Sequence, residues 1–458
     1  MESITLDFIV NAVNGKLQGQ YKNKIITEIC TDTRKISEGC LFIAIKGEKF
    51  DGHDFIDEAF EKGSAVVISE KNVKLSASTV INVESTKTAL LMLAAAYRQL
   101  FDIPVVGITG SVGKTSTKEM VYAALSAKYK THKNEGNLNN EIGMPMTVFG
   151  LDKSFETAIF EMGMSNFGEI SRLSKVAKPT VSIITNIGIS HIEKLGSQQG
   201  ILRAKFEILD GMDENSILII NGDDKLLFDK ATEIKHRIMT YGIDNIECDV
   251  VAKNIKQYEN STLFEIEYQH KKNHAVIPTL GIHNVYNALA AFSAGIQIGM
   301  TPTDIVSGLA SYKTSGMRQK FVNFNGVTII EDCYNASPDS MNAAFDVLMS
   351  VKTNRAKYAV LADMLELGEH SKQAHIDVGK AAAQKGIDIL LAYGDNAKYY
   401  CEGFIVDNPD KSENCIFFID KKELASFISN IMNSGDIFLF KGSRCMKLED
   451  VLSLLYKN

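Results

Sequence analysis

The fold is decided by VVGITGSVGKTSTKE, residues 105–119, where a short apolar run leads through glycines into helix-forming sequence. The apolar run predicts a buried strand, and a helix is expected just after Lys114. A strand, a glycine-bearing turn and a helix start predict a phosphate-binding loop, because turn N–H groups and the helix dipole both favour anions. We expect Lys114 to neutralise the outer phosphates of a nucleotide and Thr115 to ligate Mg²⁺.

This loop departs from the common pattern GxxxxGK[ST], which requires glycine at position 108. The chain has Ile108 there and places its glycines at 107, 110 and 113. The alternative is a glycine-rich turn between strand and helix that binds no ligand. The residues predicted to bind the nucleotide are Gly110, Ser111, Val112, Gly113, Lys114, Thr115 and Ser116.

Outward from this loop, strand-like and helix-like stretches alternate, which predicts an α/β fold with a mainly parallel central sheet. The stretch 248–278 has partial alternation instead and predicts an antiparallel patch. Asn325–Gly326 joins two β-like runs and predicts a hairpin, and the polar stretch 312–320 predicts a hinge. A smaller α/β pattern precedes residue 84 and another alternation follows residue 313. Three domains are therefore expected, at 1–84, 85–312 and 313–458.

Length and composition agree with a soluble three-domain protein. A chain of 458 residues is too long for one core, and 45% hydrophobic and 23% charged residues are ordinary values. A net charge of −7 argues against a dedicated nucleic-acid binder. Seven cysteines without disulfide-framework or zinc spacing fit a reducing compartment. The start of the chain predicts no signal peptide, and the longest apolar run, 89–97, is too short to span a membrane. These features predict a cytoplasmic protein.

Later motifs identify a family. They are TDTR (31–34), NLNNEIGMP (137–145), EMGMSNFGEI (161–170), TNIGISHIEKLGS (185–197), LRAKFEI (202–208), GIHNVYNALAA (281–291), EDCYNASPDSM (331–341), LADMLELGEHS (361–371) and FKGSRCMKLE (440–449). With the variant loop GITGSVGKT, they resemble the Mur ligases along nearly the whole chain. The resemblance implies a small nucleotide-sugar-binding domain, a central P-loop ATPase domain and a C-terminal Rossmann-like domain.

The resemblance also implies a reaction. Mur ligases use ATP to form an amide through an acyl phosphate, and these motifs imply that D-alanyl-D-alanine is joined to a UDP-N-acetylmuramoyl-tripeptide. The implied cofactors are ATP and two Mg²⁺ ions. Small molecules are the only partners expected, with no nucleic acid, no membrane and a monomeric protein. The alternatives are a family member that adds the third amino acid, and a P-loop regulator that binds ATP without ligase chemistry.

Three residues are implied as metal ligands besides Thr115. Glu161 ends an apolar strand, where the alternative is a solvent-facing carboxylate. His191 follows another strand, and the residue type alone favours a structural or exposed histidine. Lys205 reads as an ordinary solvated helix lysine, whereas the resemblance implies a lysine carbamylated by CO₂. Together with Lys114, these three form the implied catalytic set.

Further residues are implied to contact the ATP. Asn284 and Asn287 lie at i and i+3 near a helix start, against the adenine, although Asn284 also fits a plain helix N-cap. Arg318 is implied for the phosphates and Asp332 for the ribose. Closure of the C-terminal domain onto ATP is the physical corollary.

Substrate contacts are implied at two places. Thr33 and Arg34 resemble the family's contacts to the uridine diphosphate. Asn137, Asn139 and Asn140 supply amide donors, with polar loop sequence as the alternative. Near the C-terminus, Lys441, Ser443 and Arg444 resemble substrate or closure contacts, or else a basic loop before a helix. The family's Asp-Asp-Ser-Tyr-Asn-Ala-Asn-Pro reads EDCYNASP here, with Glu331, Cys333 and Ser337 substituted; Cys333 is expected to be a packing residue.

Overall fold

The computed structural model describes residues 1–19, 24–73, 79–314, 316–406 and 409–457. Helices and strands alternate along the chain, which confirms the predicted α/β class. The chain forms two compact units, one of Met1–Thr109, Lys128–Ser182 and Phe206–Ile217, the other of Gly110–Ala127, Ile183–Lys205 and Leu218–Asn458. The domain boundaries drawn after residues 84 and 312 stay predictions, and residue 315 of the predicted hinge lies outside the described residues.

The N-terminal part of the first unit carries a five-stranded sheet. The elements of this N-terminal part are β1 (Ile4–Thr5), α1 (Leu6–Val13), β2 (Lys16–Gln18), β3 (Ile25–Ile26), β4 (Ile29–Cys30), β5 (Leu41–Ile43), α2 (Ile56–Glu61), β6 (Val66–Ser69) and β7 (Val80–Asn82). The strand order is β2-β7-β6-β5-β4, and all neighbours are parallel except β2 and β7. Strands β1 and β3 form a separate antiparallel pair.

The central elements continue the alternation. They are α3 (Thr86–Arg98), β8 (Val105–Thr109), α4 (Lys114–Ser126), β9 (Thr131–Lys133), α5 (Gly143–Val148), β10 (Thr157–Glu161), α6 (Glu169–Ala177), β11 (Val181–Ile184), α7 (Ile192–Leu195), α8 (Gln198–Phe206), β12 (Ile217–Asn221), α9 (Lys225–Ala231), β13 (Arg237–Gly242), β14 (Val250–Gln257), β15 (Thr262–Tyr268), β16 (Lys271–Ile277), α10 (Ile282–Gln297) and α11 (Pro302–Ala310). In the first unit, β10 pairs in parallel with both β8 and β9. In the second unit, β14 and β15 pair antiparallel, as do β15 and β16, which confirms the predicted antiparallel patch.

The burial of the strands explains why they are continuous apolar runs. Every residue of β8 and of β10 is buried. Parallel strands covered on both faces have this composition, because neither face meets water. Glu161, at the carboxyl end of β10, is therefore unusual, because it is an ionisable side chain in a buried strand.

The C-terminal part of the second unit contains a six-stranded sheet. Its elements are β17 (Lys320–Phe324), β18 (Val327–Asp332), α12 (Pro338–Ser350), β19 (Lys357–Ala362), α13 (Ser371–Gln384), β20 (Ile389–Tyr393), α14 (Ala397–Val406), β21 (Cys415–Phe418), α15 (Lys421–Ile431), β22 (Ile437–Lys441) and α16 (Glu449–Leu455). The order is β17-β18-β22-β19-β20-β21, and only the β17–β18 pair is antiparallel. Asn325 and Gly326 have φ values of 52° and 82°, as the predicted tight hairpin requires.

Two hydrophobic clusters cover the faces of this sheet. Successive residues of one strand, such as Ile329 and Ile330, belong to opposite clusters, because side chains alternate across a strand. Each fully buried side chain of this kind stabilises the fold by about 1.5–3 kcal/mol. The sheet thus holds the carboxyl ends of β18, β22 and β19 rigidly at one edge.

One pair of cysteines is bonded, although the sequence predicted no disulfide framework. Cys401 in α14 and Cys415 at the start of β21 form a disulfide, with Cα atoms 5.4 Å apart. The sequence contained no signal for this pair because the helix and strand that carry the two residues are brought together only by packing. Cys30, Cys40, Cys248 and Cys333 are buried thiols and Cys445 is exposed.

In the part of the chain that the structure describes, no helix is both long enough and apolar enough to cross a membrane.

Candidate active site

The phosphate loop has the backbone that its glycines predict. Gly110 has φ 148°, and a Cβ added there would lie 1.9 Å from Thr185 Oγ1. No larger residue fits without displacing Thr185. Gly113 has φ 85° and is the N-cap of α4, which begins at Lys114 itself. The loop therefore delivers the chain directly into the positive end of a helix.

A strand-end asparagine holds this loop. Asn186 Oδ1 accepts a hydrogen bond from Val112 N at 2.9 Å, and Asn186 Nδ2 donates to Val112 O at 3.0 Å. Ser111 N donates to Asn186 O at 3.0 Å, and Thr185 Oγ1 donates to Val112 O at 2.6 Å. Thr185 and Asn186 were not predicted as site residues, although their position after the apolar run of β11 was a usable signal.

Lys114 lies over the loop that precedes it. Its Nζ donates to Gly110 O at 2.9 Å and to Ser111 O at 3.2 Å. The ammonium thus lies beside the turn that is predicted to receive phosphate. Ser116 follows in the first turn of α4 and is half-buried. This arrangement can bind and neutralise a polyphosphate.

The two asparagines of α10 contact protein groups. Asn287 Oδ1 accepts from Thr117 Oγ1 at 2.9 Å, and Asn287 Nδ2 donates to Asn284 Oδ1 at 3.2 Å. Asn284 Nδ2 in turn donates to Gln319 Oε1 at 2.7 Å. Both are buried, and Gly281 is the N-cap of α10, so the N-cap alternative for Asn284 is wrong. The pair braces helix α4, which follows the phosphate loop.

Arg318 lies beside the first turn of α4. Its Nη2 donates to Thr115 Oγ1 at 3.0 Å, and its guanidinium carbon lies 3.9 Å from the centre of the Tyr334 ring. The stacking orients the plane of the guanidinium, and the hydrogen bond fixes the position of its Nη2 atom. The structure thereby joins three segments that are remote in sequence.

Asp332 and Lys441 end neighbouring strands. They are paired in register at the carboxyl ends of β18 and β22, and Lys441 Nζ lies 2.5 Å from Asp332 Oδ2. Lys441 also donates to Asn335 O at 3.1 Å and is buried. The predicted ribose contact is thus held by a lysine of the C-terminal motif KGSR.

His191 meets a carboxylate that was not predicted. His191 has φ 65° and is the N-cap of α7, and its Nδ1 lies 2.6 Å from Glu366 Oε2. This contact does not have the alignment of a directed hydrogen bond. Proximity of His191 lowers the pKa of Glu366. The sequence offered only the motif ADMLELG as a signal for this residue.

The loop that carries Glu366 is held from two sides. Ser443 Oγ accepts from Leu365 N at 2.9 Å, and His375 Nε2 accepts from Met364 N at 3.1 Å. Glu366 itself has φ 62°. Ser443 therefore orders this loop, while Arg444 lies farther along and pairs with Glu449.

Lys205 is buried in α8, with 1% of its surface exposed. The expectation of a solvated helix lysine is therefore wrong. Taking an ammonium out of water costs several kcal/mol, so such a lysine needs strong compensation or a change in charge.

Glu161 belongs to the first unit and is 2% exposed, so the alternative of a solvent-facing carboxylate is wrong. Its backbone N donates to Asn134 Oδ1 at 2.9 Å, and Asn134 Nδ2 donates to Glu161 O at 3.3 Å. Its side-chain Oε1 accepts from Asn139 Nδ2 at 2.7 Å. The strand end and the carboxylate are therefore both held by amide groups.

The other predicted substrate contacts have different surroundings. Asn137 is exposed, and Asn140 Oδ1 accepts from Ile142 N and Gly143 N at the start of α5. Thr33 and Arg34 lie in a short 3-10 helix, Thr33–Lys35, whose N-cap is Asp32. The Arg34 guanidinium donates to both Asp32 oxygens and lowers the pKa of Asp32 to about 2.

The comparisons with known proteins cover the chain in three consecutive stretches. The family models are the Mur ligase family catalytic domain at residues 25–106, the Mur ligase middle domain at 108–295 and the Mur ligase glutamate ligase domain at 317–444. Over 99% of its length the chain is 40% identical to the UDP-N-acetylmuramoyl-tripeptide–D-alanyl-D-alanine ligase of Bacillus subtilis (strain 168), of which it covers 98%. The chain belongs to the Mur ligase family.

Further relatives of this Mur ligase agree in length and fold. It is 34% identical to the ligase of the same name from Escherichia coli (strain K12), over 100% of the chain and 99% of that protein. A crystal structure of MurF from Acinetobacter baumannii matches with a TM-score of 0.93, 32% identity and complete coverage of both chains. MurF ligase from Thermotoga maritima in complex with ADP matches with a TM-score of 0.84 and 31% identity, over 94% of this chain and 97% of that one.

The three substituted residues of the motif EDCYNASP in this Mur ligase all contact other protein groups. Cys333 is buried, and burial raises the pKa of its thiol, as expected of a packing residue and not of a nucleophile. Ser337 is the N-cap of α12 and forms a capping box with Ser340. Glu331 accepts from Tyr456 Oη at 2.7 Å and from Lys320 Nζ at 3.1 Å.

Proposed function

We propose that this Mur ligase uses ATP to join D-alanyl-D-alanine to a UDP-N-acetylmuramoyl-tripeptide, a step in making peptidoglycan precursors. The observation that carries the proposal is the 40% identity, over 99% of the chain, to the Bacillus subtilis ligase that is named for this reaction. The lysine-bearing loop at the start of α4 supports the use of a nucleoside triphosphate.

The chemistry requires activation of a carboxylate, whose oxygen is a poor leaving group. A carboxylate oxygen of the tripeptide attacks the γ-phosphorus of ATP, the bond to ADP breaks, and an acyl phosphate forms. The amine of D-alanyl-D-alanine then attacks the acyl carbon, loses a proton, and phosphate leaves. Positioning and charge neutralisation are the protein's main contributions. In this proposal Lys114 and Arg318 neutralise the phosphates, and the Asp332–Lys441 pair orients the ribose side.

Mg²⁺ fits the donor chemistry of two residues. The Thr115 hydroxyl and the buried Glu161 carboxylate offer hard oxygen atoms, which Mg²⁺ prefers. When bound, the ion would neutralise charge on the transferred phosphoryl group. No group of three or more His, Cys, Asp or Glu side chains in the described ranges is placed to hold a metal. A second ion would accordingly depend on His191 and on a carbamylated Lys205.

Carbamylation of Lys205 is proposed from the family motif LRAKFEI, and the burial of this lysine in α8 is compatible with it. The ammonium first loses a proton, the neutral amine then reacts with CO₂ and loses a second proton, and an anion with two oxygen atoms replaces the cation. That change supplies hard oxygen ligands, which Mg²⁺ prefers.

The substrate side of the proposal rests on the first unit. Thr33 and Arg34 would contact the uridine diphosphate, and Asn137 and Asn140 would contact the nucleotide sugar or its peptide. The Asp32 carboxylate already orients the Arg34 guanidinium, so less freedom is lost on binding. We place the reaction in the cytoplasm, where ATP and UDP-linked precursors are available, and propose a monomer.

The experiment is an assay of phosphate release with purified UDP-N-acetylmuramoyl-tripeptides that end in diaminopimelate or in lysine. We expect release only when ATP, one of these nucleotides and D-alanyl-D-alanine are all present. Release triggered by a free diamino acid with the UDP-linked dipeptide would identify a ligase for the third residue instead. Phosphate release at the same rate with and without the acyl and amine substrates would overturn the ligase proposal in favour of an ATP-binding regulator.

A further inference from the structure

We propose that Asn139 is a positioning residue for the Glu161 carboxylate and not a contact to the UDP-linked substrate. The inference rests on the proposed function, because it assigns Glu161 to Mg²⁺. The motif NLNNEIG places three asparagines close together, and the family resemblance treats them alike. Their contacts in the structure separate them.

The hydrogen bond from Asn139 reaches the functional end of Glu161. Asn139 Nδ2 lies 2.7 Å from Glu161 Oε1, and the carboxylate is almost completely buried. An amide N–H bound to one carboxylate oxygen restricts the rotation of the group.

The backbone on both sides of this contact is fixed. Asn134 holds the N–H and the C=O of Glu161 with its own side chain. Asn139 N donates to Asn137 O, and Gly163 N donates to Asn139 O, each at 2.8 Å. Neither partner can move away without breaking these bonds, so the side-chain geometry follows from the backbone.

Gly163 leaves the space that the Asn139 amide occupies. A Cβ at position 163 would lie 3.0 Å from Asn139 Cγ and Oδ1 and 3.1 Å from its Nδ2. Gly163 follows Glu161 by two residues, beyond the end of β10. The absence of a side chain at Gly163 thus leaves room for the Asn139 amide beside the Glu161 carboxylate.

The two neighbouring asparagines lack this contact. Asn137 is exposed, and Asn140 uses its Oδ1 to cap the start of α5. Groups that orient a metal-binding side chain typically alter metal affinity 10–100-fold when removed. A contact to the substrate would alter substrate affinity instead. These two expectations separate the two roles.

The experiment measures binding of Mn²⁺, as a paramagnetic substitute for Mg²⁺, to the full-length protein with saturating ADP, by electron paramagnetic resonance. We expect Asn139→Ala to weaken Mn²⁺ binding about 10-fold and to change the Kd of the UDP-linked tripeptide less than twofold. Gly163→Ala should weaken Mn²⁺ binding in the same direction while keeping the asparagine. Gln373→Ala is the matched control, because it removes an exposed amide–carboxylate hydrogen bond, 2.8 Å to Asp377, on α13. Melting curves of all variants test folding.

Wild-type Mn²⁺ affinity in Asn139→Ala would overturn the proposal, and so would a weakened substrate Kd with unchanged Mn²⁺ binding. Should Asn139→Ala melt at too low a temperature to assay, Gly163→Ala decides the question alone. Wild-type Mn²⁺ binding there, with the amide displaced, would equally contradict the proposal. The measurement needs no ligation, so failure of the proposed reaction would be seen separately in the phosphate-release assay of the unaltered protein.

Discussion

Asn287 Oδ1 accepts a hydrogen bond from Thr117 Oγ1 across 170 positions of sequence, at 2.9 Å. Both side chains are buried, and Asn287 also lies 3.1 Å from the place where Gly113 would carry a Cβ. The asparagine therefore supports the helix that follows the phosphate loop.

Asn287→Ala should weaken binding of ADP about 10-fold, since it removes this support and leaves the buried Thr117 hydroxyl without its partner, a cost of about 1–3 kcal/mol. Titration calorimetry with ADP and with GDP measures both affinities. A brace for the loop predicts an equal loss for the two nucleotides. Loss of discrimination between the bases would instead favour a direct adenine contact.

Arg318→Lys should lower kcat/KM for ATP about 10- to 100-fold. Lysine keeps the charge but loses both the planar stacking on Tyr334 and the directed hydrogen bond to Thr115. Steady-state phosphate release measures the effect. Tyr334→Phe, which keeps the ring, serves as the control and should remain within about twofold of the wild type. An equally large loss in that control would assign the role to the tyrosine hydroxyl.

Lys205→Ala should lose most of the ligase activity, by about 100-fold or more. If a carbamate supplies ligands to Mg²⁺, a short carboxylic acid added to the variant should restore part of the rate, and bicarbonate should stimulate the wild type. The measurement is phosphate release with and without these additions, with Lys178→Ala, at a left-handed helix end, as a matched lysine control. Full activity of Lys205→Ala would contradict the proposed role.

Acidification should destabilise the protein through His375. Burial lowers the pKa of this histidine, whose Nε2 accepts from Met364 N. In the unfolded chain it binds a proton near pH ~6.5, so below that pH the unfolded state holds more protons and the free energy of unfolding falls as pH decreases. The slope reaches about 1.4 kcal/mol per pH unit until the folded pKa is reached. His283, which is half-buried and whose pKa is also lowered by desolvation, acts in the same direction.

His375→Gln keeps an acceptor but no titrating ring, and it should flatten this dependence. Denaturant unfolding at several values between pH 7.5 and 5.5 measures it. Asp363, 3.9 Å from His375 Nε2, has a pKa raised by burial, so its titration changes the free energy of unfolding in the opposite sense. An unchanged slope in His375→Gln would assign the effect to other groups.

Cys333 should not react with iodoacetamide in the native protein at pH 8, whereas Cys445 should be modified first. The Cys333 thiol is buried and its pKa is raised by burial, while Cys445 is exposed. Peptide mass spectrometry after short labelling gives the order of modification. Cys333→Ser should retain activity within about threefold, because only packing is altered. Rapid labelling of Cys333 would contradict the structure at this position.

Much of the fold was predictable because its signals are local. The alternation of strands and helices, the Asn325–Gly326 hairpin and the antiparallel strands after residue 250 all appear in short windows of sequence. The phosphate loop was predictable for the same reason, since its glycines and lysine are consecutive with the strand and helix that they join. Hydrophobic periodicity carries no information about partners far away in the chain.

The sequence by itself determined the fold class, the loop proposed to bind phosphate and the residues worth testing. Tertiary structure alone decided what each side chain contacts: Asn186 with Val112, Glu366 with His191, Asn139 with Glu161. It also decided that Lys205 is buried and that Cys401 meets Cys415. The physical reason is that hydrogen bonds and burial depend on which strand ends and helix faces pack together, and packing joins residues that no local pattern connects.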